Sequence, residues 1–195
     1  MTERWNTRIT LLQRAQDQDN PEAWDEFVFY YQDFLRMVLN KMNFNRSDVD
    51  DAIQEVLLKL WKALPAFKPD GSAKFRTWMS RIIRNSAIDY LRKHYKGSKE
   101  ELEHHEIKLA AEPDIESFIK EEWEVHIVAL ALNRIKSLFS ENAITVFEMA
   151  MKNISTEKIA ENLEMSQNAV LKLKNRVKHR MVQEISQLRQ KLEYF

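Results

Sequence analysis

The side chains with the clearest chemistry lie in residues 155–177, STEKIAENLEMSQNAVLKLKNRV. Amide side chains pair with adenine, arginine and lysine pair with guanine or phosphate, and an aliphatic side chain contacts the thymine methyl group. A second helix in this segment would present such groups outward, namely Gln167, Asn168, Leu171, Lys172, Asn175 and Arg176. The pattern indicates a surface that reads base edges in DNA. Lys178 and Arg180, further along, would meet backbone phosphates if they touch DNA.

Two short helices around a tight turn must position these groups. Ser155 or Thr156 can cap the first helix, and Ser166 can cap the second. Apolar residues fall where two crossing helices would touch: Ile159, Ala160, Leu163, Met165, Val170 and Leu173. Glu164 occupies the turn position that glycine often fills, which would cost about 1 kcal/mol if the backbone there has a positive φ. The alternative is an ordinary helical hairpin with a solvated basic face.

A second basic surface lies in residues 74–94, KFRTWMSRIIRNSAIDYLRKH, whose only acid is Asp89. Apolar side chains recur there every three or four residues, which predicts one amphipathic helix. A surface helix usually mixes glutamate with lysine, because opposite charges one turn apart stabilise each other. The shortage of acids therefore predicts a charged partner for this face.

Acids and an amide share one side of the helix predicted for residues 47–61, SDVDDAIQEVLLKLW; they are Asp48, Asp51, Gln54 and Glu55. Acids in a first turn complement the helix dipole, and Ser47 or Asp48 can cap the helix. Capping accounts for the beginning of this pattern. It accounts less well for Gln54 and Glu55, which lie a turn or more further along.

No arrangement in the sequence resembles an enzyme site or a metal site. His104 and His105 are adjacent and would point in different directions on a helix, and no second pair lies at ligand spacing. The chain has no cysteine, no nucleophile paired with a base and no glycine-rich phosphate loop. We therefore expect neither catalysis, nor a metal, nor a cofactor.

The composition predicts an all-α fold. Gly71 and Gly97 are the only glycines, and neither forms a hairpin dipeptide such as Asn-Gly. The first twenty residues are too charged for a signal peptide, and no apolar run approaches the length of a membrane span. These features predict a soluble, cytoplasmic protein without membrane insertion.

The chain is predicted to form two small helical domains joined by an acidic linker. Residues 1–96 form the first domain, residues 97–122 the linker and residues 123–195 the second domain. The net charge of zero is a cancellation, since residues 68–96 carry about +6 and residues 97–123 about −6. The second domain begins with an apolar stripe predicted at Val125, Val128, Ala129, Leu132 and Ile135.

Together these segments resemble a bacterial RNA polymerase sigma factor of the extracytoplasmic-function subfamily of the sigma-70 family. DVDDAIQEVLLKLWKALPAF is similar to region 2.2, KFRTWMSRIIRNSAIDYLRK to regions 2.3 and 2.4, and the helix-turn-helix to region 4.2. The order, the spacing and the joint presence of Asp-x-x-Gln-Glu and Arg-Asn-x-x-x-Asp carry the resemblance. Glu164 in place of the usual glycine and Leu171 in place of a polar residue depart from the pattern.

The resemblance implies a transcription initiation factor that directs core RNA polymerase to promoters. Asp48, Asp51, Gln54 and Glu55 would dock on the β′ clamp helices of the polymerase, whose β flap is a further contact. The −10 element would be bound and melted by Phe67, Lys74, Arg76, Trp78, Arg81, Arg84, Asn85 and Arg92, with a flipped base held by the loop of residues 67–74. The outward residues of the helix-turn-helix would read the −35 element.

Promoter DNA and an anti-sigma factor are the other partners that the resemblance implies. The runner-up is a helix-turn-helix regulator that binds a palindrome without polymerase, because dimers read paired half-sites. A third class is a protein that binds polymerase and not DNA, which the Arg81, Arg84 and Asn85 face argues against.

Overall fold

The structure is a computed structural model, and it describes residues 10–42, 44, 46–68, 75–94 and 115–192. All the regular secondary structure among these residues is helical, with no strand, as the composition predicts. The helices are α1 (Leu11–Ala15), α2 (Pro21–Lys41), α3 (Arg46–Ala63), α4 (Phe75–His94), α5 (Ile115–Ile135), α6 (Glu141–Met151), α7 (Thr156–Asn162) and α8 (Gln167–Leu192). Short 3-10 turns, Leu64–Ala66 and Lys136–Leu138, follow α3 and α5. None of the helices described is long and apolar enough to cross a membrane.

The chain divides into two compact units. The first contains Met1–Glu124 together with Lys191–Phe195, and the second contains Val125–Gln190. The predicted linker, residues 97–122, lies mostly outside the described residues, and α5 begins within its last part at Ile115.

Local signals fix the ends of the helices in the first unit. Thr10 caps α1 through a capping box with Gln13, and the Asn20 side chain accepts a hydrogen bond from the Ala23 backbone with Pro21 at the first helical position. Pro65 follows the end of α3, since a proline ring cannot continue a helix. The predicted helix of residues 74–94 is confirmed as α4.

The core of the first unit is built on α2, whose buried face includes Phe27, Tyr31, Phe34, Leu35 and Val38. The helices α3 and α4 pack against it and against each other, burying apolar residues such as Val56, Leu60, Met79 and Ile83. The last turn of α8 also belongs to this unit. Its Leu192 is fully buried, and its backbone carbonyl accepts a hydrogen bond of 2.9 Å from the Tyr31 hydroxyl.

The apolar stripe predicted for α5 is partly wrong. Val125 is 58% exposed and Ala129 is also exposed, whereas the buried apolar residues are Ile119, Trp123, Ile127, Ala131 and Ile135. The two stripes have similar spacing on one helix. The buried one keeps a strict four-residue interval and includes the large Trp123 side chain, so it removes more apolar surface from water.

The second unit contains the helix-turn-helix. Val146 of α6, Ile159 and Ala160 of α7, and Val170 of α8 form its buried cluster. Met149, Ala150, Ile154, Leu163, Met165 and Leu173 pack around that cluster. The contact residues predicted for the two crossing helices are therefore confirmed, and α6 supplies a third wall.

Candidate functional site

The turn that follows α3 forms an aromatic cluster with the beginning of α4. The ring centroid of Phe67 lies 5.5 Å from that of Phe75 and 4.9 Å from that of Trp78. The side-chain amide of Gln16 donates hydrogen bonds to the backbone carbonyls of Phe67 at 2.6 Å and Leu64 at 3.1 Å, which holds the turn in place. Phe67 is buried, so Trp78, which is half-buried, is the ring of the predicted DNA-binding pair that solvent reaches.

The polar side of α4 carries several basic residues and one acid, Asp89. Arg81, Asn85 and Arg92 are exposed, and Arg84 is half-buried. Arg81, Arg84 and Asn85 lie within about one turn of the helix, and Arg92 lies about two turns further along. Lys74, the remaining member of the predicted set besides Arg76, lies outside the described residues.

Two charged residues near the end of α4, Asp89 and Lys93, pair with residues of α3. Asp89 accepts a hydrogen bond of 2.7 Å from Lys59, and Lys93 donates one of 3.3 Å to Glu55. The only acid of α4, Asp89, is therefore paired with a lysine of α3.

The predicted polymerase-binding acids gather around a tyrosine of α4. Burial raises the pKa of Tyr90, and the nearby carboxylates of Asp48, Asp51 and Glu55 raise it further, because an adjacent negative charge disfavours the tyrosinate. The predicted spacing on α3 thus brings these three acids to one place. Asp51 and Gln54 are exposed, whereas Asp48 and Glu55 are half-buried.

The helix-turn-helix has the predicted caps. The Ser155 hydroxyl accepts a hydrogen bond of 3.3 Å from the Lys158 backbone, and the Ser166 hydroxyl accepts one of 3.2 Å from Ala169. Glu164 has a φ of 50°, so the turn does require the left-handed backbone that glycine favours. The Met165 backbone N–H closes the turn on the Ala160 carbonyl at 2.9 Å.

All six predicted reader residues of α8 are exposed, while Val170, Val177 and Met181 on the other side are buried. The six are Gln167, Asn168, Leu171, Lys172, Asn175 and Arg176. The guanidinium of Arg176 lies 5.4 Å from the ring centroid of Phe139, which limits its rotamers while leaving it exposed.

Sequence reasoning missed several ion pairs. The buried carboxylate of Glu184 accepts hydrogen bonds of 3.0 Å from Arg134 and from Arg180. Arg180 is therefore engaged inside the second unit, and this contact competes with the phosphate contact predicted for it. The four-residue spacing of Arg180 and Glu184 on one helix could have predicted their ion pair. Nothing in the sequence indicated the pair between Arg134 and Glu184.

Within the described part of the chain, no three metal-ligating side chains come together in a cluster that could hold a metal ion. His104 and His105 lie outside that part.

The part of the chain that carries most of α2, together with α3 and α4, matches a known protein family. Residues 27–97 match the family model of sigma-70 region 2. The chain is 32% identical over 85 residues to the ECF RNA polymerase sigma-E factor of Haemophilus influenzae, covering 44% of this chain and 43% of that protein. It is 33% identical over 85 residues to the protein of the same name from Escherichia coli K12, covering 44% and 42%.

The chain thus spans less than half the length of these curated relatives. A solved structure of CnrH in complex with the cytosolic domain of CnrY aligns with 90% of this chain and 95% of that one, at 21% identity and a TM-score of 0.37. Residues 27–97 are thus similar to sigma-70 region 2, and 85 residues of the chain are similar to two ECF RNA polymerase sigma-E factors.

Proposed function

We propose that this chain is a transcription initiation factor that binds core RNA polymerase and directs it to promoters in the bacterial cytoplasm. The observation that carries the proposal is the region 2 match over residues 27–97, because that segment holds both the acidic side of α3 and the arginine-bearing side of α4. A regulator that acts without polymerase would have no use for the first of these surfaces.

The acidic side of α3 is the proposed contact with the β′ clamp helices. Asp51 and Gln54 are exposed and available to a partner, and Asp48 and Glu55 lie beside them around Tyr90. Glu55 also holds Lys93 of α4, so this contact surface is braced by the helix proposed to bind DNA. Carboxylates fixed in this way meet a basic partner at a lower entropic cost than freely rotating ones.

The arginine-bearing side of α4 is the proposed contact with the −10 element. Arginines there would neutralise phosphates, Asn85 would reach a base edge, and the half-buried Trp78 would stack on an unpaired base. Phe67 and Phe75 would act as the buried wall behind Trp78, since both rings are covered in this structure.

The exposed side of α8 is the proposed reader of the −35 element. Its first turns carry the amides and basic residues that recognise base edges, as recognition helices do. Neither DNA surface needs to bind tightly alone. When both are mounted on polymerase, the second contact becomes intramolecular and gains from the effective concentration.

Run-off transcription with purified core polymerase tests the proposal. We expect promoter-dependent transcripts with this protein and none without it. Arg84→Ala and Asn85→Ala should reduce permanganate reactivity of promoter thymines more than they reduce polymerase binding, since they remove groups proposed to contact the melted element. Failure to stimulate any promoter from a genomic fragment library, combined with binding to a palindrome by the protein alone, would favour the regulator instead.

A further inference from the structure

The turn that follows α3 is attached to a glutamine from the beginning of the chain. Gln16 is the residue at which α1 ends, and its side-chain nitrogen donates hydrogen bonds to the carbonyls of Leu64 and Phe67. These two residues lie 48 and 51 positions further along the chain. A primary amide has two N–H donors, so this one side chain can serve both carbonyls.

The helix α1 gives this glutamine a fixed position. Leu11, Leu12 and Ala15 are buried on the inner side of α1. The backbone N–H of Gln16 donates to the carbonyls of Leu12 and Arg14, which closes the last turn of the helix. Because this packing already fixes the backbone of Gln16, its two side-chain hydrogen bonds need to order only the side chain. The turn after α3 is therefore attached to α1 as well as to its own helix.

Phe67, whose carbonyl Gln16 holds, is also part of the aromatic cluster. It is the first residue of the loop of residues 67–74 proposed to hold a flipped base, and Phe75 begins α4 at the other end. The centroid of the Trp78 ring lies 4.9 Å from that of Phe67 and 5.4 Å from that of Phe75. A shift of the Phe67 backbone would therefore move one of the two buried rings on which Trp78 rests.

We propose that Gln16 is a positioning residue for promoter melting. By holding the Phe67 carbonyl it fixes the ring behind Trp78 and so favours the stacking of an unpaired base on Trp78. This inference rests on the proposed function, because it takes Trp78 as the ring that stacks on the base. A base extruded from a duplex loses its pairing and stacking, which its new site must replace. A ring that is already in position captures the base at a lower entropic cost.

The test compares two glutamines that each donate to a backbone carbonyl near the end of α3. Gln18 is the control, since it donates at 3.3 Å to the carbonyl of Trp61, which lies within α3 and outside the cluster of Phe67, Phe75 and Trp78. Gln16→Met and Gln18→Met keep the length of the side chain and remove its donor. Both variants are made in the full chain, and urea denaturation followed by circular dichroism checks that they fold.

Run-off transcription with core polymerase separates a role in melting from a role in the fold. One template is a duplex promoter, and the other is the same promoter with its −10 element unpaired by mismatches in the template strand. We expect Gln16→Met to lower transcription from the duplex about three- to tenfold relative to Gln18→Met, the effect of one hydrogen bond. The mismatched template should remove most of this difference, because its bases are already unpaired.

Equal losses on both templates would mean that Gln16 supports the fold or polymerase binding in general, and they would overturn the inference. A normal Gln16→Met with a Trp78→Leu variant that is defective on the duplex also overturns it, and leaves the proposed −10 contact standing. If Trp78→Leu is as active as the unchanged protein, both the proposed contact and the inference fail. Gln16→Asn, which keeps the amide and shortens its reach, replaces Gln16→Met in the same comparison if the latter does not fold.

Discussion

Glu164 shows what a single residue contributes to the helix-turn-helix. Its φ of 50° is a conformation in which a side chain crowds the backbone, and glycine escapes this cost. The turn persists because Ile159, Ala160 and Val170 are buried on both sides of it. Packing of the two helices thus offsets local strain at the residue that joins them.

We expect Glu164→Gly to stabilise the second unit by about 1 kcal/mol, because glycine reaches this backbone region without steric cost. The control is Glu161→Gly, at an exposed position inside α7, which should destabilise by about the same amount since glycine lowers helix propensity. Urea denaturation followed by circular dichroism measures both. A loss of stability in Glu164→Gly would contradict the inference that Glu164 strains the backbone of the turn.

The raised pKa of Tyr90 predicts that alkali destabilises the first unit. Its folded pKa is raised above the ordinary value of 10.0 by burial and by Asp48, Asp51 and Glu55. The folded state therefore holds the phenolic proton more tightly than the unfolded state. The stabilisation is complete below pH 10.0 and is lost as pH rises through the folded pKa.

Ultraviolet titration of tyrosinate measures this effect. We expect Tyr90→Phe to remove one alkaline step from the titration and to lessen the fall in unfolding free energy above pH 10.0. Asp51→Asn should shift the Tyr90 step toward lower pH, because it removes one of the charges that oppose ionisation. A titration curve unchanged in Asp51→Asn would contradict the placement of that acid.

At the scale of helices, sequence patterns succeed where local signals and burial agree. Asn20 and Pro21 mark the beginning of α2, and Ser155 and Ser166 cap α7 and α8 as predicted. For α5 the sequence holds two stripes of similar spacing, and periodicity alone cannot say which one meets a partner. The stripe through Val125 was predicted, and the stripe through Trp123 is buried.

The exposed positions of a helix can be predicted once its buried positions are known. The exposure of the residues predicted to read DNA on α8 follows from the buried Val170 and Val177 by helical geometry. Partners between distant segments did not follow from spacing, as with Arg134 and Glu184 or Arg76 and Glu124. Such pairs depend on how the helices pack, and helical periodicity carries no information about that.

Variants of the exposed side of α8 should separate contacts to specific bases from contacts to the DNA backbone. Lys172→Ala or Arg176→Ala should cost about 1–3 kcal/mol at the cognate −35 sequence and relax its specificity. Lys178→Ala, at an exposed position further from the first turn, should weaken binding about equally on every sequence. Transcription from a cognate promoter is compared with transcription from one whose −35 element is scrambled. Equal losses for all three variants on both templates would mean that α8 is not a reader.

At the scale of the whole molecule, the proposed function depends on docking to polymerase. We expect Asp51→Arg with Glu55→Arg to abolish association with core polymerase, because the change reverses the charge of the surface proposed to meet the clamp helices. Asp25→Arg with Asp33→Arg is the matched control, since both acids are exposed on α2 and the charge change is the same. Co-purification with core polymerase measures association, and circular dichroism checks helicity. Undiminished co-purification of the α3 variant would rule out this docking surface.

The hydrogen bond from Tyr31 to the Leu192 carbonyl joins residues 161 positions apart. During synthesis, the first unit cannot form this contact until residue 192 has emerged from the ribosome, long after α2 has done so. Closing a segment of this length costs more conformational entropy than forming a local turn, by about 0.6 kcal/mol for each doubling of length. Contacts between distant residues also slow folding. The first unit should therefore begin to fold early in translation and gain this contact only after residue 192 has been synthesised.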